Sequence, residues 1–183
     1  MDAWFGTRSA TCDPRAHRHA ELELNLVVRG TASYLLGDRR YALTPGTLTW
    51  LFPGQDHLLV DESSDHELWW AVFRPALVAR IATTEQARPL LEEDPAGQFS
   101  RRLDSDRVRR LGALFHEVRV AETVDDVLAN SGLAYLLSFA WRALLDSADV
   151  VEGVDREQTG RSPSELRTTA AADDDVIVAR DGP

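Results

Sequence analysis

Residues 17–57 read HRHAELELNLVVRGTASYLLGDRRYALTPGTLTWLFPGQDH, and their alternation decides the fold. Between positions 21 and 28 the even residues Leu22, Leu24, Leu26 and Val28 are all apolar. The odd residues are Glu21, Glu23, Asn25 and Val27. Alternate residues of a strand share one face. One face of this strand is therefore greasy, and the other carries carboxylates and an amide. A half-exposed strand would turn the polar face to water. The other solution is a barrel with a polar interior, its outer face covered by helices.

Outward from that strand, residues 21–28, 31–36, 39–43, 47–52, 56–60 and 67–73 read as six short strands. They are rich in Leu, Val, Trp and Tyr and are punctuated by Gly30, Gly37-Asp38, Pro45-Gly46 and Pro53-Gly54. Short strands at this spacing predict an antiparallel sandwich or small barrel. After Pro75 the period changes. Residues 75–82 and 85–93 read as short helices. Residues 104–120 carry Val108, Leu111, Leu114, Phe115 and Val118 at helical spacing. Residues 123–145 form a longer helix, with Thr123 and Asp126 resembling a capping box. Its apolar positions include Val124, Val127, Leu133, Leu136, Leu137, Ala140, Trp141, Leu144 and Leu145. A β unit followed by a helical hairpin makes the fold class α+β.

His17 and His19 are two apart and Glu23 is four further on, so all three point to one side of an extended chain. His57 follows the Pro53-Gly54 turn in a second stretch. Imidazole and carboxylate donors together suit one divalent transition metal such as Mn, Fe, Co, Ni or Zn. The same groups also suit a metal-free polar pocket. Glu21 has the wrong spacing to replace Glu23. By parity, Asn25 and Tyr34 are candidate ligand contacts. Trp50, Phe52, Trp69 and Trp70 either stack on a ligand or fill the core; Trp50 joins Asn25 and Tyr34 as a candidate contact. Trp69 and Trp70 alternate faces and cannot both line one pocket. His66, in a polar run, is expected at the surface, and His116 on the polar flank of a helix.

The spacing His17-x-His19-x3-Glu23-x6-Gly30 resembles the first motif of the cupins, and Gly46-x5-Phe52-Pro53-Gly54-x2-His57 resembles the second. Phe52 stands where that motif usually has Pro, and Asp61 where Asn often closes it. The resemblance implies a double-stranded β-barrel that holds a metal through His17, His19, Glu23 and His57. The wider order of strands and helices resembles the N-terminal effector-binding and dimerisation half of AraC-type transcription regulators. That implies a barrel, residues 1–82, that binds a small polar effector. A helical linker and dimerisation hairpin, residues 83–145, would follow, with a homodimer formed between Thr123 and Leu145.

In that family a pair of helix-turn-helix units follows and binds DNA. Here residues 146–183 follow, with ten acidic residues and four Arg and no aromatics. This stretch is expected to be mostly disordered, because it has too little apolar surface to offset its ordering entropy. It contains no basic recognition helix, so direct DNA binding by this chain is not expected. A natural stand-alone sensor and a truncated or frame-shifted regulator are both consistent with this.

The whole chain has 183 residues, 20 Arg and no Lys against 30 Asp and Glu, and a net charge of −10. That balance argues against a non-specific grip on phosphate backbones. The absence of Lys removes Schiff-base chemistry and a P-loop. No run approaches the roughly 20 apolar residues of a membrane span. The first residues lack a signal-peptide core, and Cys12 has no partner for a disulfide, which together imply a cytoplasmic protein. The function that the resemblance to AraC-type sensors implies is small-molecule sensing, without catalysis. The rival is a small metal-dependent cupin enzyme, a dioxygenase or isomerase.

Overall fold

The computed structural model describes residues 2–9, 16 and 18–155. Its strands are β1 (Ala3–Ser9), β2 (Leu22–Arg29), β3 (Ala32–Leu36), β4 (Arg39–Leu43), β5 (Thr47–Leu51), β6 (His57–Val60) and β7 (Glu67–Phe73). Helix α1 (Pro75–Ile81), a 3-10 helix (Glu85–Leu91) and strand β8 (Ser100–Arg102) follow. Helices α2 (Ser105–Glu122) and α3 (Asp126–Leu145) and strand β9 (Val154–Asp155) come last. The architecture is α+β: two antiparallel sheets ordered β1-β7-β2-β5-β8 and β6-β3-β4-β9, with a helical hairpin against the first.

The alternation in β2 is resolved by burial on both sides. Leu22, Leu24 and Leu26 face outward and join Leu48, Trp50, Phe73, Leu111, Phe115, Leu133 and Leu137 in the sheet–helix core. The other face looks between the sheets. There Glu23 pairs across strands with Leu51 and Val72, and Asn25 pairs with Thr49 and Trp70. Val27, Tyr34, Tyr41, Leu43, Leu51, Leu59 and Leu68 form a second, smaller cluster in that space. Trp69 and Trp70 do take opposite faces: Trp69 stacks on Phe115 of α2 with ring centroids 4.9 Å apart, and Trp70 packs against the inner cluster.

Several local features differ from the sequence reading. β1 was not expected; it pairs with β7 from Ala3↔Phe73 to Ser9↔Glu67, because Trp4 and Phe5 supply a strand face that only β7 reveals. β8 lies in the stretch read as helical linker, and it pairs with β5. The cap of α3 is Asp125, whose carboxylate accepts from the Val127 N–H, and not Thr123. Thr123 instead ends α2, its hydroxyl donating to the Val120 carbonyl.

The stretch from residue 146 also departs from disorder where it is described. Val154 and Asp155 pair with Arg40 and Arg39, and the Val151 N–H donates to the Ser100 carbonyl at 3.0 Å. Backbone pairing to existing strands supplies the order that side-chain burial cannot. Residues 156–183 lie outside the described residues, and so does the expectation made for them.

His66 is not at the surface. It is 1% exposed, and its Nδ1 meets the Glu62 carboxylate at 2.8 Å. A charged neighbour four residues back makes this burial tolerable, which a polar run does not reveal. Gly30 explains the tight approach here. Its φ is +69°, and a Cβ would lie 2.6 Å from the His66 Cα. Gly37, at φ +56°, has nothing within 4 Å of that position.

The two glycines separate conformational strain from overlap. Gly37→Ala is expected to cost only the left-handed penalty, about 1–2 kcal/mol. Gly30→Ala adds a backbone clash, for a total of about 2–5 kcal/mol. Urea unfolding midpoints of the two variants check this; equal losses would be the wrong result.

Candidate functional site

His19, Glu23 and His57 converge at one end of the space between the sheets, each offering a donor atom within 4.8 Å of the others. Their placement follows from the backbone. Glu23 lies on the inner face of β2, and His57 opens β6 opposite Leu36 of β3. His19 precedes β2, and its carbonyl accepts the Gly54 N–H at 3.1 Å, which ties it to the turn leading to His57. The imidazoles of His19 and His57 meet edge to face with centroids 5.2 Å apart.

Each imidazole is oriented by a backbone carbonyl. Nδ1 of His19 lies 2.9 Å from the Glu21 carbonyl, and Nδ1 of His57 lies 3.0 Å from the Gln55 carbonyl. Carbonyls only accept, so both Nδ1 atoms carry protons. The Nε2 atoms are then the nitrogens with a lone pair to offer a metal, the arrangement that outer hydrogen bonds impose in metal sites. Glu23 Oε2 lies 2.9 Å from His19 Nε2, and its Oε1 accepts from the Asn25 amide at 2.7 Å. Two imidazoles and one carboxylate, all oriented, fit a divalent transition metal. His17, the fourth ligand implied by the resemblance, lies outside the described residues.

The electrostatics agree with the contacts. The hydrogen bond to Glu23 raises the His19 pKa above its ordinary value, against the opposing effect of burial. Burial alone would raise the Glu23 carboxyl, but hydrogen bonds from His19 and Asn25 outweigh it and hold the group below its ordinary value. Without a metal each partner of the pair favours the charged form of the other.

Tyr34 is buried near this cluster, its ring centroid 6.4 Å from that of His57. The structure thus brings Asn25 and Tyr34 together with His19, Glu23 and His57. Trp50 goes elsewhere. It lies on the outer face of β5, with Phe73 and Trp141 rings 6.2 and 5.8 Å away. The physical reason is parity: Trp50 pairs with Leu24, and Asn25 pairs with its neighbour Thr49.

Trp50 does line a cavity of about 500 Å3 beside the cluster. Its walls come from the β3–β4 turn, the β5–β6 turn and residues 93–100. Leu36 and Gln55 connect the two places: both line the cavity, Leu36 pairs with His57, and Gln55 holds His57. Gln55 also accepts from the Phe52 N–H at 3.0 Å and donates to Asp94 at 2.7 Å. Its place two residues before His57 was the one sequence signal for this role. Phe99, which packs on Phe52 at 4.5 Å, had none, being so distant in the chain.

A model of the AraC-like ligand binding domain matches residues 8–137. The chain belongs to the AraC-like ligand-binding domain family. Among solved structures, apo ToxT from Vibrio cholerae is similar with 13% identity and a TM-score of 0.52. That match covers 75% of this chain and 54% of ToxT, so this chain spans about half the length of that protein. A cupin 2 conserved barrel domain protein from Salinispora arenicola matches at 22% identity and TM-score 0.34, covering 44% of this chain and 69% of that one. A variant of oxalate decarboxylase from Bacillus subtilis matches at 18% identity and TM-score 0.33, covering 46% of this chain and 26% of that one. The comparison with curated proteins gives no match. No described helix is long and apolar enough to cross a membrane.

The His19–Glu23 pair sets a pH dependence in the metal-free protein. His19, raised from 6.5, contributes stability that is complete below that value and lost as pH rises through its higher folded value. Glu23, lowered from 4.5, contributes stability present above that value and lost as pH falls through its lower folded value. The margin of the native protein over His19→Gln is therefore widest between pH 4.5 and 6.5. Urea midpoints of both proteins after chelator treatment, measured across that window and on either side, test this. A margin that grows above the window would contradict it.

Proposed function

We propose that this chain is the small-molecule-sensing part of an AraC-type transcription regulator. The observation that carries this reading is the match to the ligand-binding domain over residues 8–137. A polar interior between sheets supports it. The effector is a small polar molecule, admitted at the end of the barrel where the cavity adjoins His57. Occupancy there reaches the helices through β5, whose outer face packs against them, and so biases how they meet a partner.

The partner is a second copy of this chain. Val124 and Val127 are 73% and 72% exposed, the first just before α3 and the second in its first turn. Val120 and Leu128 extend the same exposed patch. Exposed apolar area of this kind at a helical hairpin favours a homodimer through the segment from Thr123 to Leu145. Among the described residues, the long helices are occupied by the sheet and by each other. DNA contact is therefore left to other parts of the regulator, which acts in the cytoplasm. Domain roles follow: residues 1–82 sense, residues 83–145 dimerise, and residues 146–183 form an acidic extension.

The second reading, a small metal-dependent cupin enzyme, is favoured by the convergence of His19, Glu23 and His57. Those residues would hold Mn, Fe, Ni or Zn, which would supply Lewis-acid chemistry. The chain's own part would be to orient both imidazoles through the Glu21 and Gln55 carbonyls and to keep Glu23 ionised. Outside the ligand set, the Glu21 carboxylate lies 3.8 Å from His19 Nδ1 and the Tyr34 ring 6.4 Å from that of His57.

Three measurements test these statements. Val124→Asp with Leu128→Asp is expected to turn a dimer into a monomer in sedimentation velocity, with thermal stability kept. A monomeric native protein would remove the dimer. A thermal-shift screen of small polar molecules of either charge is expected to stabilise the protein with at least one compound; none would sink the sensing role. Metal content after purification should fall to background in His57→Ala if the cluster holds a metal, and a stoichiometric metal with no effector would favour the enzyme.

A further inference from the structure

The cavity beside the cluster has a chemical character of its own. Its volume of about 500 Å3 falls within the range of small-molecule sites. Tyr41, Trp50 and Phe99 supply aromatic wall. Asp38, Asp56, Glu93 and Asp94 supply four carboxylates. Arg39 is the one cationic side chain in the lining, and it faces Asp155 at 3.5 Å. The Gln55 amide engages Asp94, but adds no charge. The rim is therefore strongly electronegative.

A second observation is independent of the rim. Trp50 is 1% exposed, and its indole N–H has no hydrogen-bond acceptor among the described residues. A buried donor left unmade is costly, and natural structures seldom keep one without a reason. Trp141, its neighbour in the same core, shows the ordinary outcome: its indole N–H donates to the Gln86 carbonyl at 2.9 Å. Trp50 is the buried indole that lines the cavity, and an acceptor on a bound molecule would complete it.

We infer that this cavity binds a small organic cation carrying a hydrogen-bond acceptor, its ammonium group at the acidic rim and its acceptor at the Trp50 indole N–H. The aromatic walls favour the same class, since a cation is drawn to ring faces. An anion would meet the carboxylates and be disfavoured by like-charge repulsion. This inference names the ligand class of the sensing role and rests on it.

The test uses the full chain with 15N-labelled indoles and three probes that share one phenol ring: tyramine, tyrosol and 4-hydroxyphenylacetate. Their side chains are cationic, neutral and anionic. The Trp50 indole resonance is identified by its loss in Trp50→Phe. It is expected to move saturably with tyramine, at an affinity about tenfold or more above that for 4-hydroxyphenylacetate. In Asp38→Asn with Glu93→Gln, two exposed positions that leave the core intact, that ratio is expected to fall to about threefold or less. The inference is overturned if the anion binds as tightly as the cation, if none of the probes moves the Trp50 resonance, or if the double variant leaves the ratio unchanged. Preference for the anion would remove the cation class and keep the sensing role. Sensing itself fails only in the wider stability screen.

Discussion

A carboxylate inside a protein has to be accounted for, and Glu23 is the group around which this domain is arranged. Its charge is held by His19 at 2.9 Å and by the Asn25 amide at 2.7 Å. Without them, burial would favour the neutral acid. Keeping that face of β2 polar has a consequence on the other side. Leu22, Leu24 and Leu26 must then be covered from outside, and α2 and α3 do so. The helices are thus part of the sheet's own solution to burial. A change in how the inner face is filled is one strand's thickness from the helix core.

The same constraint explains why the His19–Glu23–His57 cluster and the cavity lie close together without merging. Inner-face residues make the cluster, and Trp50, on the outer face, reaches only the cavity beside it. Gln55 is the joint. Its carbonyl orients His57, and its side chain spans from the Phe52 N–H to Asp94. A molecule in the cavity would press on a turn that also sets the imidazole. The cluster's geometry is linked to the cavity through Gln55 and through Leu36, which pairs with His57.

Much of this was legible along the chain because it is local. Strand alternation placed Glu23 and Asn25 on one face, and the spacing of His17, His19, Glu23 and His57 carried the cupin resemblance. Bounds of six strands came within a residue or so, since Gly and Pro mark their turns. What was missed depends on partners distant in sequence. β1 and β9 are too short or too mixed to declare themselves before β7 and β4 are in place. His66 sits in a polar run, yet the left-handed Gly30 lets its backbone close in and Glu62 makes its burial tolerable. The tail from residue 146 is poor in apolar side chains, and its first ten residues are ordered by backbone hydrogen bonds that composition does not report.

By itself, then, the sequence determined the period of each segment, the polar inner face of β2 and the candidate ligands, because side-chain direction in a strand or helix follows from backbone geometry alone. Tertiary structure decided which nitrogen of each imidazole faces a backbone carbonyl, because that depends on the carbonyls of Glu21 and Gln55. It also decided that Trp50 belongs to a cavity wall outside the inner face, because sheet edges, turns and residues 93–100 meet there only once the chain is folded. The four carboxylates of that rim lie in three separate stretches of chain, and only their assembly gives the site a charge.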